Sequence, residues 1–379
     1  MITIVSPEVT VSGLCIRHSR MTSDYSGIYL HSSNAQITDN LFVSNYNGIT
    51  ITEFQVATIT HNWFVNNHNG IVIRSNHNLI TENTFINDGI STSAESNTIK
   101  NNTINFRPLV YLQDESDMIF ADDAGQLILV NCHNVTVTNQ SITNTCYGIA
   151  LRWCTDCTIS HSFLSQNCMG LLLGYCTHTT VTWVDMVENA DYGLYMYQSH
   201  FNEIIDNICA YQEGSDPPYH GIRLKYCHNN TFKSNWINNN KVGVQVYDSN
   251  DNHFFHNIIW ANTYVGITVF YNSEHNLIET NDIYFNERGV EFVEVSDNSL
   301  FTNNFGDNDQ DVYFDIVQYY SFSFRTLPHL YRNYWESKRV LPKAIIGELT
   351  YVYADVPWGG WISLPWLFID WHPAVVPND

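Results

Sequence analysis

Apolar and polar residues alternate in many short segments of this chain, and the segments recur at a nearly constant interval. Each begins with a glycine and continues with apolar residues at every second position, as in GIYL, GITI and GIVI. Alternation with a period of two predicts β-strands rather than helices. The twelve glycines are Gly27, Gly48, Gly70, Gly89, Gly125, Gly148, Gly170, Gly193, Gly221, Gly243, Gly266 and Gly289. Most intervals are close to 22 residues, which is typical of solenoids.

Asparagine occupies a second fixed position in the repeat. In nine of the twelve repeats an apolar residue is followed three positions later by Asn. These residues are Asn40, Asn62, Asn83, Asn102, Asn207, Asn235, Asn257, Asn281 and Asn303. Such short strands cannot pair as hairpins over this interval, so each must stack in parallel on its predecessor. We predict an all-β, right-handed, single-stranded parallel β-helix of about twelve coils, because parallel crossovers are almost always right-handed.

Two structural roles follow for the repeated residues. The glycines serve a bend that needs either a positive φ or a close approach of backbones. We expect the asparagines to tolerate left-handed φ and to hydrogen-bond through their amides to the equivalent residues in neighbouring coils.

The repeat fades in the C-terminal part of the chain. We predict a β-helix domain over residues 1–308 and a capping segment over residues 309–379, which is rich in aromatic residues and proline. The alternative is that the aromatic residues form a platform for sugar rings. The N-terminal sequence already has a strand pattern, so we expect the chain to be truncated or processed.

Composition limits the partners. The net charge of −22 argues against nucleic acid and acidic lipid surfaces, and more weakly against polyuronate chains. No run of eighteen apolar residues predicts a transmembrane segment. Nine cysteines do not form a small-domain disulfide pattern. Cys132, Cys154, Cys176 and Cys227 share one repeat position, and Cys154 and Cys157 form a CxxC motif, for which we prefer buried inert thiols to a zinc or redox site.

The first interruption of the repeat lies between Gly89 and Gly125, where the interval is 36 residues. We expect the additional residues to project as a loop. Its carboxylates are candidate calcium ligands, with a solvated acidic loop or an acid/base pair as alternatives. The proposed ligands are Asp114, Asp117, Asp122 and Asp123, with Glu115 and Arg107 nearby.

The second interruption covers residues 212–225, which exceed the repeat by about six residues. Asp216, Tyr219, His220 and Arg223 are the candidate catalytic residues, because they combine a possible acid or base with a cation for a sugar carboxylate. The alternative is a structural loop with a satisfied histidine. The string HGIRLK resembles in part the signatures of polygalacturonases, but the paired Asp122 and Asp123 would lie four coils away.

Histidine and acidic residues share another repeat position. Asp39, His61 and Glu82 would stack in successive coils, where they could hold a metal ion. The alternative is chance, since the chain contains sixteen histidines.

The combination of GI-x-L coils with NxI-x-x-N turns resembles the NosD-like, or CASH, parallel β-helix proteins. The stretch RPLVYLQDESDMIFADDAGQLILVNCHNVTV and the later RNYW resemble segments of large archaeal and bacterial surface proteins of this type. The family includes carbohydrate-binding proteins, sugar hydrolases, alginate epimerases and a nitrous-oxide reductase accessory protein. The resemblance implies the fold and an extracellular, periplasmic or cell-surface location.

Three hypotheses for function remain. We favour a non-catalytic envelope or extracellular protein that binds a polysaccharide or surface glycan, or builds a surface assembly. The second is a polysaccharide lyase, C5-epimerase or hydrolase acting at residues 212–225, with calcium as a possible cofactor. The third is an accessory role in copper-enzyme maturation, which rests on the family resemblance alone.

Overall fold

The computed structural model of the protein describes residues 1–19, 25–213, 219–319, 329–331, 333–335, 343–353 and 360–370. Every regular element among these residues is a β-strand, and the fold is a right-handed parallel β-helix. This confirms the predicted fold class, with about 14 turns instead of twelve. In these ranges there is no helix long and apolar enough to cross a membrane.

The chain forms two compact units. Unit 1 comprises Met1–Cys176 with Val184–Ala190, and unit 2 comprises Thr177–Trp183 with Asp191–Asp379. The strands up to residue 174 are β1 Ile2–Ile4, β2 Thr10–Ser12, β3 Cys15–Arg17, β4 Ser26–Leu30, β5 Ala35–Thr38, β6 Leu41–Val43, β7 Asn47–Ile51, β8 Ala57–Thr60, β9 Trp63–Val65, β10 Asn69–Ile73, β11 Leu79–Thr81, β12 Thr84–Ile86, β13 Ile90–Thr92, β14 Thr98–Lys100, β15 Thr103–Ile104, β16 Arg107–Gln113, β17 Ser116–Phe120, β18 Gln126–Val130, β19 His133–Thr138, β20 Ser141–Thr143, β21 Tyr147–Arg152, β22 Thr158–Ser165 and β23 Met169–Gly174.

Strand β24 spans Thr180–Val187. The strands that follow are β25 Tyr192–Tyr197, β26 Glu203–Ile205, β27 Ile208–Ala210, β28 His220–Lys225, β29 Thr231–Lys233, β30 Trp236–Asn238, β31 Val242–Tyr247, β32 His253–Phe255, β33 Ile258–Trp260, β34 Val265–Phe270, β35 Leu277–Glu279, β36 Asp282–Tyr284, β37 Arg288–Val293, β38 Ser299–Phe301, β39 Asn304–Gly306, β40 Gln310–Tyr319, β41 His329–Tyr331, β42 Tyr334–Trp335, β43 Lys343–Tyr353 and β44 Gly360–Asp370.

The glycine at the start of each coil is required by close packing. A Cβ atom on Gly48 would lie 2.5 Å from the carbonyl oxygen of Gly70 and 2.8 Å from the ring of Phe64. Among the described glycines only Gly13 has a positive φ. Of the two roles left open by the sequence, the structure therefore selects close approach.

The asparagines form hydrogen-bonded ladders, as predicted. The Nδ2 atom of Asn40 donates to Oδ1 of Asn62 at 3.1 Å, and Asn62 donates in the same way to Asn83 at 3.0 Å. The expectation that these asparagines have left-handed φ is wrong. The positive φ belongs to the preceding residue, with values of 56° at Asp39 and 55° at His61.

A second ladder ends at a buried carboxyl group. Asn45 donates to Asn67, and the backbone and side-chain amides of Asn67 both donate to Oδ2 of Asp88. The other oxygen of Asp88 accepts the backbone N–H of Gly89 at 3.0 Å. Burial raises the pKa of Asp88 to about 8, although these hydrogen bonds oppose the shift.

Among the described residues of unit 1, the direction of stacking reverses between β15 and β16. Strand β16 pairs antiparallel with β15 through Ile104 and Arg107, and in parallel with β18 through Leu109 and Gln126. Strand β17 pairs in parallel with β19. The expectations of a projecting loop between Gly89 and Gly125, and of uninterrupted parallel stacking there, are therefore wrong. Much of this segment is ordinary strand that pairs in register with the next coil.

Side chains join the coils on the two sides of this reversal. The amide of Gln126 is fully buried, and it both donates to the carbonyl oxygen of Ile90 and accepts the backbone N–H of Ile90. The hydroxyl groups of Ser91 and Tyr147 lie 2.9 Å apart. These side chains give hydrogen-bond partners to the backbone of Ile90 and to each other, at a point where no parallel strand could supply them.

In unit 2, strands β25, β28, β31, β34, β37 and β40 pair in parallel in that order. Parallel pairing continues beyond residue 308. Asn303 donates to Asn333, and the buried Trp335 stacks on Phe305 at 4.8 Å. The last pairing, between β43 and β44, is antiparallel. The cap predicted for residues 309–379, and the alternative of an aromatic platform, stay predictions.

Candidate functional site

Strand β28 presents two cations on its outward face. Because side chains alternate along a strand, Ile222 and Leu224 are buried in the core, whereas Arg223 and Lys225 point outward and are half-buried. The register places Arg223 between Tyr195 and Gln245 of the adjacent coils. It also places Lys225 between Tyr197 of β25 and Tyr247 of β31.

Aromatic rings surround both cations. Arg223 donates from Nη1 to the hydroxyl of Tyr192 at 2.6 Å, and its guanidinium carbon lies 5.6 Å and 5.8 Å from the ring centroids of Tyr192 and Tyr195. The Nζ atom of Lys225 lies 5.2 Å from the centroid of Tyr226 and 5.5 Å from that of Tyr247. These are cation–π distances, which hold the charges at defined positions.

His220 is the first residue of β28 and is only 2% exposed. Its ring stacks on Tyr192 at 5.6 Å, and its Nδ1 atom has no hydrogen-bond partner. Burial, together with Arg223 and Lys241, lowers the pKa of His220 to about 3. The imidazole is therefore neutral at physiological pH, and a base with such a low pKa removes protons poorly.

Of the two remaining predicted catalytic residues, the structure describes only Tyr219. Tyr219 is partly exposed and lines a groove of about 350 Å³ with Lys241 and Tyr264. Asp216 lies outside the described residues. The structure therefore brings His220 and Arg223 together around Tyr192, and it places Tyr219 in the neighbouring groove.

A second arginine lies on the same face of unit 2. Arg288 of β37 forms an ion pair with Glu291, whose other carboxylate oxygen accepts a hydrogen bond from Thr268 at 3.0 Å. The guanidinium of Arg288 also donates to the hydroxyl of Tyr264, and it lies 4.2 Å from the ring centroid of Tyr313. Glu291 is only 6% exposed, so this is a largely buried and compensated charge.

The acidic residues predicted to bind calcium are paired separately. Asp114 accepts hydrogen bonds from Gln113 and Asn131, which lower the pKa of the Asp114 carboxyl. Asp117 accepts a hydrogen bond from Asn134 at 2.7 Å. Both aspartates have positive φ, a conformation that Asp tolerates better than most residues.

The other two predicted ligands are also separate. Asp123 pairs with Arg107, and the backbone carbonyl of Asp122 accepts a hydrogen bond from Gln140. In the part of the chain that the structure describes, no three His, Cys, Asp or Glu residues are grouped so that they could hold a metal ion. The four predicted calcium ligands are therefore not brought together. Of the predicted set Asp39, His61 and Glu82, only His61 and Glu82 are in contact, with 2.5 Å between Nε2 of His61 and Oε2 of Glu82.

Buried thiols of the repeated cysteine position bond to the backbone. The Sγ atoms of Cys132, Cys154 and Cys176 each donate to the carbonyl oxygen two residues earlier, at 3.3–3.5 Å. Cys157 does the same at 3.4 Å. All four are free cysteines and are buried. This arrangement satisfies the thiols without a metal ion or a disulfide.

The sequence identified His220 and Arg223 but missed their partners. Tyr192 and Tyr195 occupy the same strand positions one coil earlier, as the equivalent spacing from Gly193 and Gly221 indicates. Superposing the repeats position by position would have placed these tyrosines beside His220 and Arg223. The sequence did not indicate the ion pair of Arg288 with Glu291. The two residues lie three apart on one strand, a spacing that normally places side chains on opposite faces.

The sequence profile of the family described as "Periplasmic copper-binding protein (NosD)" matches residues 9–108, 110–265 and 217–339. The chain belongs to the NosD family. This confirms the family resemblance drawn from the coil and turn motifs. Among the described residues, no group of three His, Cys, Asp or Glu side chains offers a site for the copper named in the family description.

Solved structures with similar folds are distant from this NosD-family chain. The periplasmic alginate epimerase AlgG is 16% identical with a TM-score of 0.43, and the match covers 79% of this chain and 76% of that one. The A-module of the Azotobacter vinelandii mannuronan C-5 epimerase AlgE4 is 13% identical with a TM-score of 0.38, covering 84% and 90%.

The surface adhesin PfbA of Streptococcus pneumoniae is 11% identical with a TM-score of 0.38, covering 84% of this chain and 81% of that one. Comparison with curated protein sequences gives no match. At these identities the likeness concerns the fold alone.

Proposed function

We propose that this NosD-family protein is a non-catalytic β-helix protein of the periplasm or cell surface, and that it binds a glycan on the outward face of β25, β28 and β31. One observation supports this most strongly: the face combines tyrosine rings with cations held against them. Aromatic faces offer apolar area to the C–H groups of a sugar ring, while the cations donate hydrogen bonds to its oxygens.

The chemistry of the face favours binding over catalysis. His220 is buried and neutral, and burial raises the pKa of Tyr195 to about 12, so neither side chain is a ready base near neutral pH. The fold is suited to binding an extended chain, because successive coils repeat the same surface about every 4.8 Å.

A glycan array followed by calorimetry on the best ligands tests this proposal. We expect binding that falls when Tyr195 or Tyr247 is replaced by Ala, and that persists in Lys233→Met, which removes a cation from a different sheet. We also expect no product from pectate, alginate or neutral glycans. Cleavage that is abolished by His220→Ala would support the enzymatic alternative, and an array without binding would reject the glycan-binding proposal.

A further inference from the structure

Arg223 and Lys225 are two cations without an acidic partner in a strongly acidic protein. Among the described residues neither has a carboxylate within ion-pairing distance. The chain contains 38 acidic and 16 basic residues, so Arg223 and Lys225 place two adjacent positive charges on one strand of a strongly acidic protein. By contrast, Arg107 pairs with Asp123 and Arg288 with Glu291.

Polar atoms next to Arg223 also lack partners. The Nε atom of Arg223, the Oε1 atom of Gln245 and the Nδ1 atom of His220 are buried without a hydrogen-bond partner. Arg223 and Gln245 are paired in register, and His220 starts the same strand as Arg223. Buried polar groups are almost always hydrogen-bonded, so these exceptions set this part of the sheet apart. A group bound on this face would meet the half-buried guanidinium of Arg223 rather than these inaccessible atoms.

The chemistry of that group follows from the donors. A guanidinium donates in a planar fork that matches a carboxylate, and a nearby ammonium adds a second charge. Lys225 is two residues from Arg223 on the same face, about 7 Å along the strand. We do not assign Lys241 a role in specificity, because the carboxylates of Glu213 and Glu287 line the same groove.

We infer that the glycan bound on this face is acidic, and that Arg223 and Lys225 bind the carboxylates of its uronic acid residues. This inference rests on the proposed glycan-binding function. The net charge of −22 opposes a polyanion at long range, but at about 0.15 M salt such fields are screened within roughly 8 Å. The local cations then decide the specificity.

The test compares an oligogalacturonate with its methyl-esterified form, which keeps the sugar and removes the charge. In calorimetry at about 0.15 M NaCl we expect the acid to bind at least about tenfold more tightly than the ester. Arg223→Met and Lys225→Met should each lower this ratio several-fold. Lys233→Met is the matched control, since Lys233 also lies over a ring of the next coil, and it should leave the ratio unchanged.

The outcomes distinguish a failure of the inferred acidic specificity from a failure of the proposed glycan-binding function. Equal affinity for acid and ester would refute acidic specificity while leaving glycan binding intact. Binding of neither sugar, with an empty array, would reject the proposed function itself. A preference for the acid that survives Arg223→Met and Lys225→Met would place the carboxylate site elsewhere. Circular dichroism and the melting temperature of each variant establish that it is folded.

Discussion

Two arginines on one face of unit 2 differ in how their charge is compensated. Arg288 is held by a buried glutamate, whereas Arg223 lies among tyrosines and has no carboxylate partner among the described residues. An internally compensated arginine has its donors occupied, and removing its partner would destabilise the fold. An uncompensated arginine contributes little to stability but keeps its donors for binding. The same residue type therefore has a structural role in one place and a proposed recognition role in the other.

The largest expected effect comes from removing the compensating charge. Glu291→Gln leaves Arg288 partly buried without its carboxylate, and we expect a loss of about 3 kcal/mol in the free energy of unfolding. Urea denaturation followed by tryptophan fluorescence measures it. The double variant Glu291→Gln with Arg288→Met should recover part of the loss. A loss below about 1 kcal/mol in the single variant would show that the two arginines do not differ in this way.

The next effect is a dependence on pH that belongs to the Arg223 region. The pKa of His220 is about 3 in the folded protein, below the usual 6.5, so the folded state binds fewer protons than the unfolded state between these values. The stabilisation is therefore present above pH 6.5 and is lost as the pH falls toward 3. Between pH 7 and pH 4 the loss attributable to His220 should be on the order of 3 kcal/mol.

His220→Phe tests this assignment, because it keeps the stacking on Tyr192 and removes the titration. Urea midpoints at several pH values should fall less steeply toward acid pH in the variant than in the parent protein. Parallel curves for the two proteins would show that other groups cause the acid sensitivity.

A smaller effect concerns the hydrogen bond that completes the Arg288 network. Thr268→Val removes the hydroxyl that donates to Glu291, and we expect a destabilisation of about 1.5 kcal/mol. Thr268→Ser keeps the hydroxyl and is the control, although it loses a methyl group. If valine and serine variants unfold at the same urea concentration, the hydrogen bond contributes nothing measurable.

The smallest expected effect is that of Arg223→Met on stability. The variant loses cation–π contacts and one hydrogen bond, but it also removes a buried N–H that has no partner, so the net change should stay within about 1 kcal/mol. Thermal unfolding of the Arg223→Met and Glu291→Gln variants, measured side by side, compares their losses of stability directly. A loss as large as that of Glu291→Gln would make Arg223 a structural residue like Arg288.

The fold could be predicted from sequence because its determinants repeat. Glycine recurs where a Cβ atom would strike the next coil, as at Gly48, and asparagine recurs where its amide bonds to the neighbouring coil, as at Asn62. The reversal at β15 and β16 could not be predicted, since it occurs once and carries no repeated residue. The extra interval after Gly89 was therefore interpreted as a loop, although it pairs in register with the next coil.

The candidate site was only partly predictable. His220 and Arg223 attract attention because they combine acid–base and cationic residue types close together in sequence. What distinguishes Arg223 from Arg288 is the side-chain partner of each, and that depends on register between coils and on side-chain conformation. Neither quantity can be obtained from one sequence without first placing every residue in its coil.

The buried carboxyl group of Asp88 gives the amide ladder a direction and an end. An asparagine both accepts a hydrogen bond and passes one on, so a row of asparagines can grow by one coil without limit. Asp88 has no amide group to continue the row, and its two carboxyl oxygens accept hydrogen bonds from Asn67 and Gly89. A single change of side chain thus works as a terminator, placed in the coil just before the chain changes direction.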